Sequence, residues 1–326
     1  MAKEIWVFAE INQNETATVV TELLAKANTL ADEMGGYTVA AVVTSSHAAD
    51  YTEQLAKLGA DKVYTLTHKS LNDYRCDVCA YALSQLVETY EPEYFFIGAT
   101  AIGSELAPST AGLLKTGLAA HCIDLRWNGE RLNCMVPAFG GKVVSEIYIP
   151  VARPVMASVR PGILNTEKAE EKNADVIVCE ASFLDTFESG EEFLGFEENE
   201  KAGADIETAE FVISAGRGAA NDASWNAVQA IAETMNGAIA YSRSFIDTGR
   251  VNDESCMIGT SGKSVKPKVL LNAGISGAAQ YVCGINKSKT VISINKSPSA
   301  AIFGYSDYGI VGDADKILPL VAAKLK

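Results

Sequence analysis

Phe211-Val212-Ile213-Ser214-Ala215-Gly216-Arg217-Gly218 reads as a buried strand that breaks into a glycine turn. Its first five residues lack the alternation of a half-exposed strand, so both faces must be covered, as in a parallel sheet flanked by helices. Three runs downstream repeat the form. Ala238–Tyr241 runs into Ser242-Arg243, Val269–Ala273 into Gly274-Ile275-Ser276-Gly277, and residues 291–294 into Asn295-Lys296-Ser297-Pro298. In such sheets ligands bind outside the carboxyl ends of the strands, where loops without bulk expose backbone N–H groups. A phosphate-bearing ligand is the natural occupant, and residues 211–313 become the stretch around which the chain is organised.

Upstream, strand-like runs at residues 5–9, 39–43, 62–66 and 94–97 alternate with helical patterns. One helix spans about 16–34 and stops at Gly35-Gly36, one ends at Leu58-Gly59, and one covers 73–89. This alternation gives βαβ units and a doubly wound parallel sheet. Gly103-Ser104-Glu105-Leu106-Ala107-Pro108 opens a further helix, and runs at 132–137, 142–149 and 155–159 close the first domain. From 180 to 207 acidic residues dominate with little periodicity, which reads as a solvated connector. Small residues at 201–204 offer a hinge. The expected architecture is α/β with two doubly wound, Rossmann-like domains: 1–204, ending in the acidic linker at about 180–204, and 205–326. In the second domain Trp225, Val228, Ile231, Ala232 and Met235 share one helical face, with Asn221 or Asp222 as N-cap and Gly237 past the end.

A net charge of −14 argues against nucleic acid or an anionic membrane as partner, since both repel an acidic chain. No apolar run reaches the length of a membrane span, and Met1-Ala2-Lys3-Glu4 leads directly into a strand with no signal-like segment. Seven scattered cysteines, an odd number, suit reduced thiols and a cytoplasmic location. Cys76 and Cys79 form a C-x-x-C with no second pair and no nearby His, which reads as one helix face and not as a metal site. No catalytic side chain is expected.

Gly216-Arg217-Gly218 alone is weak evidence for a site, because a strand-to-helix turn often needs glycine for backbone reasons. Ile275-Ser276-Gly277-Ala278-Ala279-Gln280 says more: small residues permit close approach to a phosphate, and Ser276 and Gln280 add polar handles. Gly259-Thr260-Ser261-Gly262-Lys263 has a phosphate-cradling composition without Walker-A spacing. Several such loops closing strands of one sheet point to a binding crevice.

Taken together, G-R-G, S-R, G-x-x-G-K, G-I-S-G-A-x-Q, I-N-K and D-Y-G-I-V-G-D resemble the α subunit of electron transfer flavoproteins. The likeness extends to V-F-A-E from Val7, G-A-T-x-x-G-x-E-L-A-P from Gly98, F-G-G-K from Phe139 and R-P-x-M-A-S-V-R-P-G from Arg153. The resemblance implies that the C-terminal domain holds FAD, and that the N-terminal domain packs with a β subunit carrying AMP or a second FAD. It implies that Arg217 and Ser242 contact the FAD phosphates or ring surroundings, and that Arg243 lies beside the isoalloxazine. Ile258, Gly259, Thr260 and Ser261 would approach the ring. Ser276, Gly277, Ala278, Ala279, Gln280 and Tyr281 would run from the pyrophosphate toward the flavin O2 edge, with Asn295, Asp313 and Ala314 at the adenosine end. Two positions depart from the family pattern: Thr260-Ser261 stands for Gln-Thr, and Tyr281 for His. The segment between Arg243 and Gly259 is also one residue longer than usual. The function implied is that of a heterodimeric electron carrier serving an acyl-CoA-dehydrogenase-type flavoenzyme. The alternative is a non-redox scaffold subunit that binds an adenine nucleotide.

Overall fold

The computed structural model describes residues 2–12, 15–138, 143–164, 169–195 and 205–325, which form two compact units, the first ending at 195 and the second starting at 205. The expected hinge at 201–204 and the F-G-G-K motif at 139–142 lie outside the described residues.

In the first unit the parallel strands are β1 (Ala2–Phe8), β2 (Thr38–Ser45), β3 (Lys62–Thr67), β4 (Pro92–Gly98), β5 (Leu118–Cys122), β9 (Val155–Val159) and β10 (Asp175–Val178). They lie in the order β10-β3-β2-β1-β4-β9-β5. A small antiparallel sheet is formed by β6 (Asp124–Trp127), β7 (Leu132–Ala138) and β8 (Val143–Ile147). Helices α1 (Thr18–Met34), α2 (Thr52–Lys57), α3 (Cys76–Tyr90) and α4 (Ala101–Leu114) connect the strands. The α1 stripe Val20, Leu23, Leu24, Ala27 and Leu30 is fully buried against the sheet, and the helix stops at Gly35, whose φ of +70° suits glycine.

Two strands of this unit's large sheet were not legible as such. β5 is short and interrupted by His121 at positive φ, and β10 is an edge strand with Val176 and Val178 exposed. Residues 94–97 belong to the buried interior strand β4. Cys76 and Cys79 sit buried on α3 as free thiols, facing the core.

The acidic stretch departs from expectation up to residue 191. Leu184 is buried, the Phe187 ring stacks on Tyr81 with centroids 4.5 Å apart, and Phe183 meets Tyr81 edge-on at 5.8 Å. Ser189 Oγ and Gly190 N–H donate to the Asp77 carboxylate, and the Glu191 carboxylate accepts the Cys76 N–H at 2.8 Å, capping α3. This part of the expected connector is docked on the first unit, because three apolar side chains among the acids supply burial that net charge conceals.

The second unit is one parallel sheet of β11 (Phe211–Ala215), β12 (Ala238–Tyr241), β13 (Val269–Ala273), β14 (Val291–Asn295) and β15 (Tyr308–Val311). Their order is β12-β11-β13-β14-β15, all pairs parallel. Helix α5 (Asp222–Thr234) starts at Asn221, whose side chain accepts the Ser224 N–H at 2.9 Å. It packs with α8 (Ala314–Leu325) on one face of the sheet, around Val228, Ile231 and Leu318. Met235, expected in the core, is 41% exposed because it lies at the C-cap, and Trp225 is half-buried against Tyr241 and Phe245. Every residue of β15, at the sheet edge, is exposed.

Candidate functional site

Both large sheets reverse their strand order, and a ligand crevice forms at such a switch point. In the first unit it lies between β1 and β4. There the buried Glu10 carboxylate accepts hydrogen bonds from Asn12 Nδ2 at 2.9 Å and from Thr100 Oγ1, the N-cap of α4, at 2.5 Å. An internal carboxylate at this point repels a phosphate.

The second unit reverses between β11 and β13, and here the crest is built of glycine. A Cβ on Gly216 would stand 2.4 Å from the Gly274 carbonyl oxygen, and one on Gly274 would stand 2.6 Å from the Gly218 carbonyl carbon. Gly274 and Gly277 hold φ of +68° and +85°, which side chains disfavour. The two turns therefore pass with no side-chain bulk between them and leave backbone at the surface.

Backbone hydrogen bonds tie the crest loops in a row. Ser242 N–H donates to Ala215 O, Gly216 N–H to Ala273 O, Gly218 N–H to Gly274 O, and Gly274 N–H to Ile294 O. The 258–263 loop joins this row through Ile258 N–H to Tyr241 O and Thr260 N–H to Gln280 O at 2.9 Å. Arg243 opens the one-turn helix α6 (Arg243–Ile246) after edge strand β12, while Asp313 and Ala314 follow edge strand β15. Four inter-strand steps of about 4.8 Å give a crest of roughly 19 Å, suited to an extended dinucleotide.

The expected residues divide by what their side chains do. Arg217, Thr260, Ser261, Ser276, Ala278 and Gln280 are exposed along the crest, as are Arg243 and Asp313 at its ends. Arg243 pairs with Asp247 at 3.2 Å and Glu254 at 3.3 Å, contacts in which all three side chains are largely solvated. Ser242 is buried, with its hydroxyl 3.2 Å from Ser244 Oγ. Ile258 and Ala314 turn their side chains into the core, Gly259 is buried, and Ala279 is half-buried, so these residues offer chiefly backbone. Gly277 seats against Ile302, where a Cβ would stand 2.2 Å from the nitrogen. Asn295 is occupied within the protein: its Nδ2 donates to Ile275 O at 2.7 Å, and its Oδ1 accepts the Ser297 N–H.

Tyr281 is a correction. Its side chain, expected to run toward a ligand edge, is 5% exposed and points down into the sheet. The phenol donates to Asn272 Oδ1 at 2.6 Å, Asn272 Nδ2 donates to Ser293 Oγ at 3.1 Å, and the Ser293 and Ser306 hydroxyls lie 2.7 Å apart. Burial raises the phenol's pKa, and the nearby Ser214 hydroxyl opposes this without completing a hydrogen bond. The turn inward follows from a buried acceptor within reach, because a buried polar group without a partner costs about 1–3 kcal/mol.

Ser214, Asn272 and Ser293, all fully buried, escaped notice in the sequence because each sits inside a run read as apolar. A signal was present: each is the next-to-last or middle residue of its strand, and the register aligns Ser214 with Asn272 and Asn272 with Ser293. Three polar residues thus form one row across β11, β13 and β14, beneath the crest.

A parallel sheet of this order, crested by glycine turns and flanked by Arg217 and Arg243, defines a Rossmann-like dinucleotide-binding unit. The exposed backbone and arginines fit the phosphates of FAD, and turns packed too closely for any Cβ keep side-chain bulk off the crest. Residues 5–184 match the electron transfer flavoprotein domain, and residues 205–286 match the electron transfer flavoprotein FAD-binding domain. The chain belongs to the electron transfer flavoprotein family, in its α-subunit branch. It is 34% identical over 326 residues to the electron transfer flavoprotein subunit alpha of Thermoanaerobacterium thermosaccharolyticum, covering 99% of this chain and 98% of that one. It is also 34% identical to protein FixB of Clostridium saccharobutylicum, covering 99% and 96%. A third relative is the acryloyl-CoA reductase electron transfer subunit beta of Anaerotignum propionicum, at 32% identity, 99% and 96% covered. The FAD-binding match ends at 286, so Asn295, Asp313 and Ala314 rest on their place in the sheet. Among the described residues no helix is long and apolar enough to cross a membrane.

Proposed function

We propose that this chain is the FAD-carrying subunit of a two-subunit electron carrier, which passes electrons between an acyl-CoA-dehydrogenase-type flavoenzyme and a second redox partner. The observation that carries this reading is the coincidence of the family's FAD-binding region with the glycine crest of the second unit. FAD supplies the electron-accepting ring, and the protein supplies binding, orientation and electrostatics. Backbone N–H groups of Arg217 and of residues 275–278 meet the pyrophosphate, with the Arg217 side chain beside them. Arg243 bears a permanent positive charge toward the ring end, where it favours added electron density. Asp313, at the start of α8, accepts hydrogen bonds from the ribose or adenine end. The first unit, with Glu10 at its switch point, serves association with a β subunit that holds AMP or a second FAD. The name of the Anaerotignum relative supports a role beside an acyl-CoA-processing enzyme.

The test is the visible absorption spectrum of the chain purified with its co-expressed partner. Flavin bands at one FAD or more per heterodimer are expected. Protein that carries only AMP or ADP after exposure to excess FAD overturns the reading in favour of a nucleotide-binding scaffold.

A further inference from the structure

The loop from Gly274 to Gln280 brings the exposed residues Ser276, Ala278 and Gln280 to the crest, yet it has little regular structure to hold it. The helix that follows, α7 (Ala279–Val282), is a single turn, and so short a helix is unstable without outside contacts. Backbone bonds through Gly274 and Gln280 hold the two ends of the loop, and three further contacts hold it between and just beyond them. Asn295 Nδ2 grips the Ile275 carbonyl at 2.7 Å, and Ile302 N–H donates to the Ser276 carbonyl at 3.1 Å. The third is the Tyr281 phenol, which reaches from α7 down to Asn272, with Ser293 and Ser306 continuing the chain to the Ile302 carbonyl. Burying Asn272 and Ser293 in parallel strands is costly compared with Ala or Val. What a satisfied buried network supplies in return is a single geometry for the groups it joins. Ile302 closes the circuit, since it both receives the end of this chain and holds Ser276.

We propose that Tyr281 and Asn272 are positioning residues of the FAD site, locking the Gly274–Gln280 loop from beneath so that its backbone presents to the ligand while position 281 contributes no group to the flavin. The proposal rests on the reading of the second unit as an FAD site. In this chain the residue at 281 acts through the loop and touches no part of the ligand, so the flavin edge is met by backbone and by Ser276 or Gln280.

The test uses the heterodimer, comparing wild type with Tyr281→Phe, Asn272→Ala and the double variant. Measurements are the FAD dissociation constant, the flavin absorption spectrum, and the melting temperature of the FAD-stripped protein. Each single variant is expected to weaken FAD binding about tenfold, the order of one buried hydrogen bond. The double variant should be no weaker than the worse single one, because both remove the same link. The flavin spectrum and its dependence on pH should match wild type once FAD is saturating. Two results overturn the proposal: affinities equal to wild type with only the melting temperature lowered, or a spectrum changed by Tyr281→Phe and untouched by Asn272→Ala, which would put the phenol on the ring. Should Asn272→Ala fail to fold, Ser293→Ala, which removes the next acceptor in the chain, must give a smaller loss of affinity in the same direction. If wild type takes up no FAD, the functional reading falls and the inference with it. If wild type takes it up and the variants match it, the inference alone falls.

Discussion

Arg243 and Tyr281 stand at two ends of what a residue can do at this site. Arg243 shares its charge with Asp247 and Glu254, but pairs so open to solvent hold only about 0–1 kcal/mol, so the guanidinium is free to turn toward a ligand. Arg243→Ala is expected to keep FAD bound, because the glycine turns carry the pyrophosphate, and to lower the flavin reduction potential. A charge-assisted contact is worth roughly 1.5–3 kcal/mol. Taking the lower end for so solvated a group, and about 1.4 kcal/mol per 30 mV for two electrons, the shift is about 30 mV. Spectroelectrochemical titration of the variant beside wild type measures it, and an unchanged potential places Arg243 away from the ring. Tyr281 bears on stability at alkaline pH. Burial raises its folded-state pKa and pushes Tyr241 up to about 12. A tyrosine so raised contributes stability in full below the unfolded value of about 10, and that contribution is lost as pH rises toward the folded value. The melting temperature of the second unit should therefore fall between about pH 10 and 12, and fall less in Tyr281→Phe.

At the scale of elements, the docked stretch Ala181–Glu191 is held by the Phe187–Tyr81 stack and the Glu191 cap on α3. Phe187→Ala should destabilise the first unit by about 1–2 kcal/mol, from lost ring stacking and burial. Proteolysis would show it as cleavage near residues 180–195 at protease levels that spare wild type. That stretch also shows where sequence reading ends. The sheet strands β1–β4 and β9 were legible from largely apolar runs that alternate with helical patterns, and β11–β14 and the crest loops from apolar runs that stop at small or polar turn residues. Phe183, Leu184 and Phe187 were lost among acidic neighbours, whose charge describes solvation and says nothing of which ring finds a partner. Tyr281 was misplaced because a sequence order puts it after Gln280 without saying that Asn272, nine residues earlier, waits beneath it. The polar row Ser214, Asn272 and Ser293 becomes visible only when the strands are set in register.

For the whole molecule, the exposed apolar side chains of the first unit concentrate on β8 and just beyond it: Val143, Val144, Ile147, Tyr148 and Val151 are 37–85% exposed. Such a patch suits a partner subunit. Val144→Glu is expected to weaken the one-to-one complex at least tenfold, since an unpaired carboxylate would be buried at the contact. Light scattering across micromolar concentrations would reveal the free chain, and an undisturbed complex would remove β8 from the interface. The second unit has a different exposed feature. β15 leaves Tyr308, Ile310 and Val311 open at the border of a parallel sheet, where among the described residues no further strand pairs with it. A border of this kind can be extended by any chain that lies alongside it, so two copies of this chain brought close together have a ready place to pair strand to strand.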